Sequence, residues 1–149
     1  MLNPDFRDIL SSFGAEAVEY LVVGAYALAA HGLPRATGDL DLWVHATPEN
    51  GRRVRRALER FGAPLEGITD ADLTGRDNVL QIGVSPRRVD VLTSIDGAEF
   101  PEAWSARLEV VLEGLRVPIL GREHLIRNKR AVGRPQDLAD AQRLEDQEA

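Results

Sequence analysis

The alternation of apolar and polar positions divides the chain into short segments of two different periods. Residues 3–13 read as an opening helix, with Asn3 as N-cap, Pro4 at the first helical position and Gly14 as its end. Tyr20 to Val23 is an apolar, β-branched run that predicts a buried strand stopping at Gly24. Ala25 to His31 is alanine-rich and helical, with Gly32 placed to cap it. After a loop over 33–38, residues 39–45 alternate strictly. Asp39, Asp41, Trp43 and His45 share one face of a strand; Leu40, Leu42 and Val44 share the other. Pro48 opens a helix to Phe61 with a core stripe of Val54, Ala57, Leu58 and Phe61. Residues 65–77 read as loop with a short helical turn.

Two strands, 78–84 and 87–95, turn around Ser85-Pro86 and predict a hairpin. A helix over 98–107 follows, then strands over 108–112 and 116–120 with Gly114 between them. Helices over 122–132 and 135–145 close the chain around Gly133-Arg134. This order predicts an α/β (α+β) fold, a mixed β-sheet with helices packed on it. The two hairpins exclude simple double winding. The expected organisation is one domain over 1–149, with a core over about 18–120 and a C-terminal helical part over about 121–147.

Composition narrows the chemistry. Cysteine is absent, which removes disulfides and thiolate metal sites. His31, His45 and His124 add at most to an oxygen-rich site. No apolar run approaches the ~20 residues that span a bilayer, and the first residues lack the pattern of a signal peptide. The expectation is a soluble, cytoplasmic protein without a membrane partner. The net charge of −6 argues against binding nucleic acid over the whole surface, though not against a local basic patch. Of 18 basic residues only Lys129 is lysine, a compact point charge where arginine is a planar fork.

Asp39 and Asp41 stand two apart on one strand, about 7 Å along the chain. Like charges ~4 Å apart repel by roughly 4 kcal/mol at an effective dielectric of about 20. A hard divalent cation such as Mg2+ removes that cost; two solvated aspartates at a strand start are the alternative. Asp90, flanked by Val89 and Val91, opposes β-propensity in mid-strand. It reads either as a third carboxylate of a two-metal phosphoryl-transfer site or as the partner of Arg88. Gly24 ends a strand and enters a helix, so free N–H groups there can meet phosphate, or the glycine serves only a tight turn. Neither the dinucleotide fingerprint nor a phosphate loop is present.

Taken together, the stretch from Leu21 to Val44, with Gly24-Ala25, Asp39-Leu-Asp41 and the later Asp90, resembles the signature of the DNA polymerase β-like nucleotidyltransferase superfamily. The form Arg35-x-Thr37-x-Asp39-Leu-Asp41, and the tail Leu125 to Asp140, resemble the AbiEii-type toxin branch and its small uncharacterised relatives. The resemblance spans residues 20 to 144. It implies a polymerase β palm-like fold and transfer of a nucleoside monophosphate from a nucleoside triphosphate to an acceptor hydroxyl, with tRNA as a candidate acceptor. The toxin of a toxin–antitoxin pair, with an antitoxin protein as partner, is the role it implies. An antitoxin-like or non-catalytic nucleotide-binding member acting through a partner protein is the alternative.

On this resemblance Asp39 and Asp41 would hold two Mg2+ ions, and Asp90 would complete the second site and help deprotonate the acceptor. Gly24 and the Ala25 N–H would touch the triphosphate, with Arg35 and Thr37 contributing to nucleotide binding. Lys129 would neutralise the departing pyrophosphate, and Asp137 would orient Lys129 or Arg134. Arg35 reads equally as a pin for its loop. Ala25 departs from the serine common at that position, which removes a hydroxyl contact to phosphate. Arg52, Arg56 and Arg60 form a helical stripe, either a solvated face or an RNA-tracking patch. Trp43 and His45 could stack on a base; packing serves Trp43 equally.

Overall fold

A computed structural model describes residues 2–35, 38–84 and 86–147. Asn3 Oδ1 accepts from the Phe6 N–H at 3.0 Å and starts α1 (Pro4–Ala15). The helix runs through Gly14 instead of ending there, because the Glu16 N–H still bonds the Ser12 carbonyl. The reversal falls on Ala17, at φ 55. Then follow β1 (Tyr20–Val23), α2 (Gly24–Ala30), β2 (Leu40–Val44), α3 (Pro48–Phe61) and α4 (Asp70–Thr74), the short turn anticipated within 65–77. The remainder is β3 (Val79–Ile82), β4 (Val89–Leu92), α5 (Phe100–Ser105), β5 (Leu108–Leu112), β6 (Leu115–Ile119), α6 (Arg122–Val132) and α7 (Pro135–Asp146).

β3 and β4 are shorter than expected. Gly83, at φ 78, and a turn bond from the Arg87 N–H to the Val84 carbonyl leave the ladder early. Ser85 lies outside the described residues.

The six strands form one mixed sheet in the order β3-β4-β2-β1-β6-β5. The β1/β2, β3/β4 and β5/β6 pairs are antiparallel, and the central β2/β4 and β1/β6 pairs are parallel. The antiparallel β1/β2 pair is therefore central, joined on each side by parallel pairing to a hairpin from later in the chain. Leu40, Leu42, Val89 and Val91 are buried and point away from the aspartates. Leu10 of α1 shares a cavity wall with Val22 and Leu40, which puts α1 on that apolar face. Phe100 of α5 packs edge-on against Trp43, ring centroids 5.1 Å apart, on the other face.

Two polar devices tie the elements together. Asn50, at the start of α3, is buried; its amide donates to the Glu19 and His45 carbonyls and accepts from the Glu19 N–H. Gly97, at φ 80, lies where a Cβ would come within 2.7 Å of the Arg127 carbonyl oxygen. That close approach, with the Asn128 side chain donating to the Asp96 carbonyl at 2.9 Å, seats α6 against the segment before α5.

Candidate active site

The register of the central sheet aligns the acidic residues. Leu40, Asp41, Leu42 and Trp43 pair in parallel with Val89, Asp90, Val91 and Leu92, so Asp41 lies directly opposite Asp90. On its other side Asp41 faces Val23, the last residue before Gly24. Asp39 precedes β2 by one residue, and the Leu40 N–H bonds the Arg88 carbonyl at 3.0 Å, which sets Asp39 beside Arg88. Asp90 is only 8 % exposed. Burial raises the Asp41 carboxyl to about 6, assisted by the negative charges of Asp90 and Asp39 and opposed by Arg88 and Lys129.

Arg88 links the two outer carboxylates. Its Nη2 lies 3.0 Å from Asp39 Oδ2, and its Nε lies 3.0 Å from Asp90 Oδ1. The salt bridge read from the sequence as the alternative for Asp90 is thus present, and it extends to Asp39. Asp90 Oδ1 and Arg88 Nε are nevertheless buried without a well-aligned hydrogen bond. The sequence showed Arg88 two residues before Asp90, hence on the same strand face, but not the pairing of β4 with β2 that brings Asp39 there.

Gly24 has φ 68, and a Cβ placed on it would meet Asp41 Oδ2 at 2.2 Å. The missing side chain leaves room for the Asp41 carboxylate. The expected contact of this glycine is phosphate; the contact present is the acid two strand positions beyond Asp39.

Lys129, the sole lysine, is buried on α6 with Nζ 3.4 Å from Asp137 Oδ1 and 3.5 Å from Asp140 Oδ2. Asp137 also accepts from Arg134 Nε at 2.6 Å, so it orients both cations. Those bonds, Arg134 first, hold the Asp137 carboxyl below its ordinary range. Arg35 reaches from the loop before β2 and forks onto Asp140, at 2.8 and 2.5 Å. The loop-pinning geometry is therefore the one Arg35 adopts. Its hydrogen bonds, with that of Gln136, bring the Asp140 carboxyl down to about 2. Asp140 was missed as a site residue, although its place three residues after Asp137 put it on the same helical face. Thr37 lies outside the described residues.

Other candidates are engaged elsewhere. Trp43 is buried against Phe100, so it packs and does not offer a face to a base. His45 stacks on Phe100 and pairs with Glu19 at 2.8 Å. On α3, Arg56 and Arg60 pair with Glu16, Arg53 with Glu49 and Arg55 with Asp70.

Asp39, Asp41 and Asp90 offer the hard oxygens that Mg2+ takes, and the negative charges of Asp90 and Asp39, which add to burial in raising the Asp41 carboxyl, would also draw a cation. As placed, no three acidic or histidine side chains among the described residues form a metal cage; Arg88 draws Asp39 and Asp90 toward itself.

No protein-family model matches the chain, and no curated protein matches it. Solved structures do. A candidate nucleotidyltransferase from Thermotoga maritima aligns with TM-score 0.63 and 15% identity, over 99% of this chain and 96% of its own. The antibiotic-resistance factor ANT(2″)-Ia aligns in solution with TM-score 0.57 and 18% identity, over 94% of this chain and 80% of its own. Its complex with adenylyl-2″-tobramycin aligns with TM-score 0.54 and 16% identity, over 93% and 84%. The chain has the nucleotidyltransferase fold.

Proposed function

We propose that this chain, with its nucleotidyltransferase fold, is a metal-dependent enzyme that moves a nucleoside monophosphate from a nucleoside triphosphate to an acceptor hydroxyl. The supporting observation is the direct pairing of Asp41 with Asp90, beside Asp39, at the end of the strand that leads into Gly24. Asp39, Asp41 and Asp90 would hold Mg2+, which supplies charge neutralisation on the phosphates. Gly24 and Ala25 offer backbone to the triphosphate. Asp90 takes the proton of the acceptor hydroxyl as its oxygen bonds the α-phosphorus. The bond to pyrophosphate breaks, and Lys129, oriented by Asp137 and Asp140, offsets the charge that leaves.

The acceptor divides into two readings. The motif Arg35-x-Thr37-x-Asp39-Leu-Asp41 supports a tRNA-modifying toxin restrained by an antitoxin protein. A small cationic polyol is the second reading, favoured by the net charge of −6 and by the pairing of Arg53, Arg55, Arg56 and Arg60 of α3 with acids. The structural neighbour seen with adenylyl-2″-tobramycin agrees with it.

The test is incubation of the protein with Mg2+ and each α-labelled triphosphate, offered either total cellular RNA or tobramycin. Label should pass to one acceptor class and vanish in the Asp39→Ala/Asp41→Ala control. Nucleotide binding without labelling of any acceptor sinks the enzyme in favour of a non-catalytic, partner-binding role. Toxicity on expression that Asp41→Ala relieves would select the toxin reading.

A further inference from the structure

Arg88 has no part in the transfer chemistry above, yet it bridges two of the site's three carboxylates. Its guanidinium contacts Asp39 Oδ2 at 3.0 Å, Asp90 Oδ1 at 3.0 Å and Asp90 Oδ2 at 3.3 Å. Its backbone is fixed by the Leu40 N–H, whereas its side chain is 33% exposed and has solvent to retreat into. Asp41 carries no ion pair among the described residues and stays open to an incoming cation. Three ionised carboxylates against one guanidinium leave two negative charges, and Lys129 is already matched to Asp137 and Asp140.

We infer that Arg88 is a resident counter-ion, occupying the cation's place between Asp39 and Asp90 in the unloaded protein and withdrawing toward solvent when a divalent cation enters. This rests on the reading of Asp39, Asp41 and Asp90 as cation ligands. The guanidinium sits on Asp39 Oδ2 and Asp90 Oδ1, oxygens that a cation held by these carboxylates would also draw on, so the two would compete. Arg88 thereby keeps a crowded acidic cleft folded without metal, and it lowers the apparent metal affinity by the fraction of molecules in which it is withdrawn. Arg88 is a positioning residue, acting on the carboxylates and not on substrate.

Mn2+ binding followed by electron paramagnetic resonance, with thermal unfolding in the absence of metal, tests the inference on wild type, Arg88→Gln, Arg88→Lys and Arg87→Gln. If Arg88 is withdrawn in about one unloaded molecule in ten, Arg88→Gln binds Mn2+ about tenfold tighter. That variant also melts lower than wild type until Mn2+ is added. Arg88→Lys keeps the charge but loses the fork, so tighter binding there isolates the bridging geometry from simple charge removal. Arg87→Gln, whose arginine pairs distantly with Asp5 at 3.7 Å, makes the same charge change outside the site and leaves affinity unmoved. Equal or weaker Mn2+ binding by both Arg88 variants overturns the counter-ion. Folded proteins that all fail to bind Mn2+ overturn the ligand assignment itself, and the counter-ion with it.

Discussion

At Gly24 a single absent methyl group decides where a carboxylate sits. The positive φ of 68 already disfavours any other residue, and the space a Cβ would fill holds Asp41 Oδ2. Gly24→Ala therefore does more than strain a turn. It displaces Asp41, and it should cost about 1–3 kcal/mol of stability as overpacking, read as a lower urea midpoint, together with weakened Mn2+ binding. Unchanged Mn2+ affinity in a destabilised variant would separate the turn from the site. The sequence made this glycine conspicuous as a phosphate contact, but its fit against Asp41 was not legible there, because a strand ending in glycine says nothing of which neighbouring strand packs beside it. Arg88 shows the same gap: its alternation with Asp90 was readable, and its second partner required the β2/β4 pairing.

Among the elements, Asp140 joins α7 to the loop before β2. Asp140 is fully buried, accepts the Arg35 fork and lies 3.5 Å from Lys129 Nζ. Removing its charge leaves a guanidinium and an ammonium short of a partner, so Asp140→Asn should cost about 2 kcal/mol at neutral pH. Because the folded carboxyl is depressed to about 2, that contribution is present above the unfolded value near 3.8 and disappears as pH falls through about 2. Urea melts of both proteins at pH 7 and in strong acid check it; an equal gap at both would contradict the ion pairing. Element boundaries followed local signals closely: Thr47 caps α3, Asn3 caps α1, and Gly133 ends α6 at φ 75. The early ends of β3 and β4 did not, since apolar alternation continues past the point where Gly83 turns the backbone.

For the molecule as a whole, the crowded carboxylates of the proposed site are a liability without a cation. Asp41 titrates near 6 when folded against 3.8 unfolded, so it favours the folded state below about pH 4 and loses that advantage as pH rises through 6. With a chelator present, Asp41→Asn should be the more stable protein at pH 8, by about 1 kcal/mol once solvent screening is discounted, with the gain gone at pH 4. Urea unfolding at the two pH values measures it, and a variant less stable at pH 8 would refute it. In the native protein, Mn2+ affinity should fall below pH 6 as Asp41 takes up a proton.

The overall architecture could be read from the sequence because each element carries its own period and caps. The sheet order could not, because it joins segments far apart. Asp41 and Asp90 are neighbours across β2 and β4 although a whole helix, a turn and the β3 strand intervene in the chain. The two carboxylates therefore meet only once β2 and β4 pair. On the proposed reading, a divalent ion held between these strands would offset the repulsion that their pairing brings about, and would serve as a folding aid as well as a reagent.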